Sequence, residues 1–118
     1  MQMRAALLCA FVILFAGCSQ KPPSRYAWGS YEDLIYLSYA APGKLTPEMQ
    51  VQRLEKDLLT AQAANKPMPP GWHAHLGYLY VRTGRLDLAE QQLLAEKAAF
   101  PESSVFVDRL LTNLQRAQ

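Results

Sequence analysis

The clearest helical signals in this chain lie in residues 70–101, PGWHAHLGYLYVRTGRLDLAEQQLLAEKAAFP. The first half of this stretch carries one apolar stripe at helical spacing, formed by Trp72, Leu76, Leu79 and Tyr80. Gly84 ends that helix, because glycine readily adopts the left-handed conformation found at helix C-termini. A second helix then carries Leu86, Ala89, Leu93 and Phe100 and ends at Pro101. The stretch therefore predicts two helices joined by a tight turn.

Two helices are predicted before this hairpin. Ser30 with Asp33 is close to a capping box and starts a helix that Pro42-Gly43 ends. Thr46 and Pro47 supply a cap and a first-turn proline for a helix over 47–65. That helix has one apolar face, made of Val51, Leu54, Leu58 and Ala61.

One helix is predicted after the hairpin, over 104–116, with Ser103 or Ser104 as its cap. No segment shows strand alternation with hairpin turns. The sequence therefore predicts an all-α fold, in which the helical hairpin packs in a small bundle of about five helices. A chain of 118 residues suits one domain of this kind.

The N-terminus predicts export. Arg4 precedes an apolar run from Ala5 to Ala16, which is shorter than the roughly 20 residues that span a bilayer as a helix. A positive start, a short apolar core and small residues form the plan of a signal peptide. Ala16-Gly17-Cys18 resembles the bacterial lipobox, although Phe15 stands where an aliphatic residue is usual. Residues 1–17 are thus expected to be a lipoprotein signal peptide.

Cysteine usage favours a lipid over a disulfide. The chain has two cysteines, and Cys9 lies within the part expected to be removed, so Cys18 has no intramolecular partner. We expect Cys18 to be acylated, with palmitate among its chains, and to anchor the protein to a membrane. The alternative is an ordinary signal peptide with an unmodified cysteine. Residues 18–29 form the lipidated N-terminus and a tether, and residues 30–118 the helical domain.

Aromatic residues are concentrated just after the tether. They are Tyr26, Trp28, Tyr31, Tyr36 and Tyr39. If these rings are buried, the region forms a clasp that packs over the bundle. If they are exposed, the region lies at the membrane interface, where aromatic rings are favoured. The spacing of Leu34, Ile35 and Tyr39 indicates packing into the core.

The hairpin resembles a tetratricopeptide repeat. The positions that match are Leu76, Gly77, Tyr80, Gly84, Ala89, Leu93 and Pro101. Small residues at 77 and 89 let two antiparallel helices approach closely. His73 departs from the pattern, which prefers Trp, and Glu96 departs where it prefers Ala. We expect the face that carries Glu96 to be partly exposed or loosely stacked.

Nearly the whole mature chain resembles a family of small bacterial lipoproteins named only as domain of unknown function 4810. The stretches that carry the resemblance are residues 26–32, 42–44, 69–80 and 100–103. The resemblance implies an accessory component of the outer-membrane envelope, with other envelope lipoproteins as partners, one of them similar to the curli-secretion pore. The residue after the cysteine is Ser19, and in this the chain resembles outer-membrane lipoproteins. We therefore expect a lipid anchor in the cell outer membrane, facing the periplasm.

Catalysis and metal binding find no support in the sequence. His73 and His75 are two residues apart and point in different directions on a helix, so both do not easily ligate one ion. We read His73 as a packing residue and His75 as a surface or groove residue. No nucleophile elbow, phosphate loop or dinucleotide motif occurs. We therefore expect no catalytic residue, no cofactor and no metal, and a protein that is not an enzyme.

Partner binding has more support. By resemblance to tetratricopeptide arrays, the ligand-facing positions are Ala74, Tyr78, Val81 and Arg82. Tyr78 and Arg82 are four apart and share a helix face. The alternative is that Tyr78 packs against helix 47–65 and Arg82 is a solvated charge. A net charge of +2 with scattered basic residues argues against nucleic acid.

These features predict a membrane-anchored periplasmic lipoprotein that acts as a protein-interaction module in an envelope assembly. The alternative is an accessory factor for surface secretion or peptidoglycan synthesis. A catalytic role has the least support.

Overall fold

The computed structural model describes residues 22–117, and every regular element in that range is helical. The helices are α1 (Tyr31–Ala40), α2 (Pro47–Ala63), α3 (Trp72–Arg82), α4 (Leu86–Ala99) and α5 (Ser104–Arg116), with a 3₁₀ turn at Pro101–Ser103 before α5. The predicted all-α class and the number of helices are confirmed. The predicted signal peptide and Cys18 lie outside the described residues.

The α3–α4 hairpin is the most closely packed pair of helices. A Cβ atom added to Gly77 would lie 3.3 Å from the carbonyl oxygen of Ala89 and 3.3 Å from Cγ of Leu93. Ala89 and Leu93 are themselves buried. The small residues at 77 and 89 thus allow the close approach that the sequence predicts.

The core lies on both sides of this hairpin. Trp72 and Leu76 of α3 are fully buried, as are Val51 and Leu54 of α2 and Val107 of α5. Helix α2 packs on α3, and α5 packs on α4. The hairpin therefore buries apolar side chains against one neighbouring helix on each side.

Helix α2 begins as the sequence predicts. Pro47 occupies the first turn, and the Thr46 hydroxyl accepts a hydrogen bond from the Met49 amide at 3.3 Å. At the C-terminal end of α3, Gly84 has a φ of +75°, the left-handed conformation that favours glycine. Both signals act locally, which explains why the sequence reveals them.

Ser30 and Ser103 stand at the N-cap positions of α1 and α5, as predicted, but neither side chain makes a capping hydrogen bond. Ser30 makes no capping bond within α1; its amide and its hydroxyl both donate to Oδ2 of Asp57 in α2, at 2.7 and 2.6 Å. The hydroxyls of Ser103 and Ser104 donate backwards, to the carbonyl oxygens of Phe100 and Pro101. Ser30 therefore both precedes α1 and joins it to α2.

Glu96 also differs from the expectation. It is only 3% exposed, although it lies on the α4 face that we expected to be partly exposed or loosely stacked. Its Oε1 accepts a hydrogen bond from the Gly71 amide at 2.7 Å, and its Oε2 accepts one from the Ala74 amide at 3.3 Å. Gly71 precedes α3 and has no side chain to cap it. Glu96 therefore caps α3 from across the hairpin.

Replacing Glu96 tests this cap. Glu96→Ala leaves two amides at the buried start of α3 without an acceptor, at a cost of about 1–3 kcal/mol for each unsatisfied group. We expect the urea midpoint to fall clearly, and to fall less in Glu96→Gln, which keeps one carbonyl oxygen. Gln91→Ala, an exposed change on the same helix, is the control. Equal midpoints for Glu96→Ala and Gln91→Ala would contradict the cap.

Candidate interaction surface around Tyr78

Tyr78 and Arg82 form an exposed pair on α3. Tyr78 is 51% exposed, and Nη1 of Arg82, one turn further along, donates to the Tyr78 hydroxyl at 2.9 Å. The guanidinium carbon lies 5.8 Å from the centre of the tyrosine ring. Together with exposed Val81 these side chains form what we call the Tyr78 ridge. Half of the Tyr78 side chain is thus at the surface rather than buried against α2.

A large groove lies on one side of the ridge. It has a volume of about 680 Å³ and runs between α1, the α1–α2 connection, the start of α2 and α3. Tyr39 and Pro42 line one wall, Gln50 and His75 lie between the helices, and Tyr78 and Arg82 form the other wall. We call it the α1/α3 groove. Its lining combines aromatic rings with polar and cationic groups.

A smaller groove lies on the other side. It has a volume of about 200 Å³, runs between α3 and α5, and is lined mainly by apolar side chains. Val81 and Tyr78 lie on one wall and Leu110 and Leu114 on the other. We call it the α3/α5 groove. Tyr78 lines both grooves, so one side chain separates a groove of mixed polar and apolar lining from an almost wholly apolar one.

The four predicted partner-binding residues therefore fall into two groups, three on the ridge and one away from it. Tyr78, Val81 and Arg82 come together on the ridge. Ala74 lines neither groove; it is half-buried, packs against the core, and its amide is bound to Glu96. Ala74 lies one turn before Tyr78 on α3, where that helix is packed against the core and bonded to Glu96 of α4.

His75 lines the α1/α3 groove. The sequence predicts a surface or groove residue at this position. Its ring is 5.7 Å from the Tyr31 ring and 6.3 Å from the Tyr78 ring, between centres. Burial lowers the pKa of its imidazole, because desolvation disfavours the charged form. Its Nε2 atom and Oε1 of Gln50 are buried without a hydrogen-bond partner among residues 22–117.

His73 is a packing residue, as the sequence suggests. Its ring meets Trp72 edge to face at 5.1 Å, and Nδ1 lies 2.7 Å from Oε1 of Gln92. Among residues 22–117, no three His, Cys, Asp or Glu side chains are grouped closely enough to hold a metal ion. Within the same range, no helix has the length and apolar character needed to cross a membrane.

A cluster that the sequence did not reveal ties α2 to the end of α3. The Tyr80 hydroxyl donates to Oε1 of Glu55 at 2.8 Å, and Arg85 lies 3.4 Å from the same oxygen and 4.5 Å from the centre of the Tyr80 ring. Burial, followed by the bond to Glu55, raises the pKa of Tyr80 to about 12. Tyr80 therefore stays a neutral donor. Because Glu55 and Tyr80 are 25 residues apart, no local pattern indicates this contact.

Acidification should weaken the fold through His75. Its folded-state pKa lies below its unfolded value, so the unfolded chain binds more protons as pH falls below about 6.5. The free energy of unfolding should therefore fall from its value at neutral pH as pH drops through the unfolded pKa towards the lower folded one. His75→Phe removes the titrating group, so its loss over this range should be smaller. Parallel urea-stability profiles for the two proteins would contradict this role.

Comparison with known proteins supplies the family. Residues 25–110 match the family described as Domain of unknown function (DUF4810). The chain belongs to this family. The matched span runs from before α1 into α5. It therefore contains the whole lining of the α1/α3 groove, and that of the α3/α5 groove except for the last turns of α5. No curated protein and no solved structure matches the chain.

Proposed function

We propose that this DUF4810 protein is a membrane-anchored periplasmic lipoprotein of the outer membrane, and that it acts as a protein-interaction module in an envelope assembly. The observation that carries the proposal is the Tyr78 ridge, an exposed tyrosine and arginine between two grooves. Tyrosine and arginine are enriched among the residues that contribute most to protein–protein binding.

The two grooves suit a protein partner. The α3/α5 groove offers an apolar site of a size for one or two side chains, next to the Tyr78 ring. Arg82 uses Nη1 on Tyr78, which leaves its other guanidinium N–H groups for a partner's carboxylate or carbonyl groups. An apolar anchor beside an arginine fork provides both area and direction for binding.

The support for membrane anchoring comes from the sequence before the described residues. Ala16-Gly17-Cys18 follows an apolar run that is too short to span a bilayer. Acylation of Cys18 gives several long chains, each methylene contributing about 0.8 kcal/mol when buried in lipid. The folded domain then acts close to the membrane, where other envelope lipoproteins are also held.

The cysteines test the anchor. In cells grown with labelled palmitate, we expect the wild-type protein to carry label and to sediment with outer membranes. Cys18→Ala should lose both properties, because it removes the thiol that is acylated. Cys9→Ala is the matched control and should keep both, since Cys9 lies in the expected signal peptide. Labelled, membrane-bound Cys18→Ala protein would overturn lipidation at this residue.

The ridge is tested by capture of envelope proteins from gently solubilised envelopes. Tyr78→Ala/Arg82→Ala should reduce the partner recovered by the wild type at least about tenfold, because loss of a binding hot spot costs about 2 kcal/mol or more. The matched control is Phe106→Ala/Arg109→Ala, an exposed aromatic and an exposed arginine on α5 that line neither groove. Equal recovery with both double variants would show that the partner binds elsewhere.

A further inference from the structure

Helix α1 has two faces of opposite character. On its inner face, Leu34 is fully buried and the Tyr31 ring packs on His75. On its outer face, Tyr36 and Tyr39 are 70% and 83% exposed. The expected packing of Tyr39 into the core is therefore wrong; Leu34 is buried as expected, and Ile35 is half-buried but is not part of the core. Only part of the aromatic region is a clasp.

The two exposed tyrosines share one side of α1, because residues three apart are neighbours on a helix surface. Trp28 precedes the helix, stacks against Tyr31 with ring centres 6.4 Å apart, and is also exposed. An α1 of ten residues is about 15 Å long, so Tyr36 and Tyr39 occupy a short patch. Nothing in residues 22–117 covers this outer face.

The chain brings this patch close to the proposed anchor. The Ala27 amide donates to the carbonyl oxygen of Pro67 at 2.8 Å, and the Tyr26 ring meets Phe100 at 6.2 Å, so the chain joins the fold before α1. Cys18 is nine residues before Ala27. Even fully extended, nine residues reach only about 30 Å. A lipid on Cys18 therefore keeps the domain close to the bilayer, and the tether joins the fold at Ala27, four residues before α1 begins.

We infer that the outer face of α1 lies against the headgroup layer of the bilayer that holds Cys18, with Tyr36 and Tyr39 as its contacts. The inference rests on the proposed lipid anchor. Tyrosine and tryptophan favour this layer, because the ring is apolar and the hydroxyl or indole N–H remains hydrated.

The charges around α1 fix the depth and the lipid class. Glu32 and Asp33 are exposed in the first turn of α1, and carboxylates do not enter the hydrocarbon. Arg25 and Lys44 are exposed before and after the helix. Neighbouring groups of both signs match a zwitterionic phospholipid, whose ammonium and phosphate groups lie in the same layer. The tyrosines thus reach the headgroups and no deeper.

This orientation has a consequence for the α1/α3 groove. Tyr39 is both an outer-face residue and part of the groove wall. With α1 on the bilayer, the groove opens next to the membrane surface. A partner that binds there has to approach along the membrane, as another lipid-anchored protein does.

Tryptophan fluorescence tests the orientation in the full lipidated protein, reconstituted in phosphatidylcholine–phosphatidylethanolamine vesicles. The chain has two tryptophans, and Trp72 is fully buried. Trp28→Phe/Tyr36→Trp places a reporter on the outer face of α1, and Trp28→Phe/Tyr39→Trp places a second one beside it. Trp28→Phe/Leu94→Trp is the control, at an exposed apolar position on α4.

We expect the α1 reporters to be quenched by headgroup-labelled lipid more than by lipid labelled deep in the acyl chain. Aqueous iodide should quench them several-fold less than the Leu94→Trp control. If the protein floats with the vesicles but iodide quenches both α1 reporters as strongly as the control, the orientation is wrong and the anchor stands. If the protein does not float with the vesicles, the anchor fails and the inference fails with it.

Discussion

The buried carboxylate of Glu96 joins the two helices of the hairpin by accepting hydrogen bonds from the start of α3. Helix α3 starts after Gly71, whose φ of +85° suits glycine and which offers no side-chain acceptor. The first amides of a helix have no partner within the helix, and leaving them unpaired in a packed interior is costly. Glu96 of α4 accepts hydrogen bonds from two of these amides. The same bonds fix how α4 lies on α3, and so where the hairpin presents the Tyr78 ridge.

Two acidic residues of α2 repeat this arrangement at the neighbouring joints. Asp57 accepts hydrogen bonds from the amide and the hydroxyl of Ser30, and so fixes the position of α1. Glu55 accepts a hydrogen bond from the Tyr80 hydroxyl, and so fixes the position of the end of α3. Three acidic side chains thus join helices whose apolar faces are short. The positions of α1 and α3 define the α1/α3 groove, so these contacts also determine the geometry of the candidate site.

Local patterns in the sequence predict the helices and little of what joins them. Thr46, Pro47 and Gly84 act on their own helix ends, so their effect can be predicted from neighbouring residues. Ser30 stands at the N-cap of α1 as predicted, but its hydroxyl makes no capping bond, because its acceptor is 27 residues away in α2. Glu96 appeared only as a departure from the tetratricopeptide pattern, since its donors are 25 and 22 residues away. Tyr39 follows the apolar spacing of α1 but lies past the edge of the buried stripe.

The candidate site shows the same division. Spacing on one helix predicts that Tyr78 and Arg82 lie side by side, and they do. It does not predict that Ala74 is covered, or that Tyr78 separates two grooves, because those features depend on α1, α4 and α5. Amide hydrogen exchange in the wild-type protein shows whether Glu96 holds the start of α3. If it does, the Gly71 and Ala74 amides exchange as slowly as amides in the middle of α3. Exchange at the rate of an open helix end would contradict it.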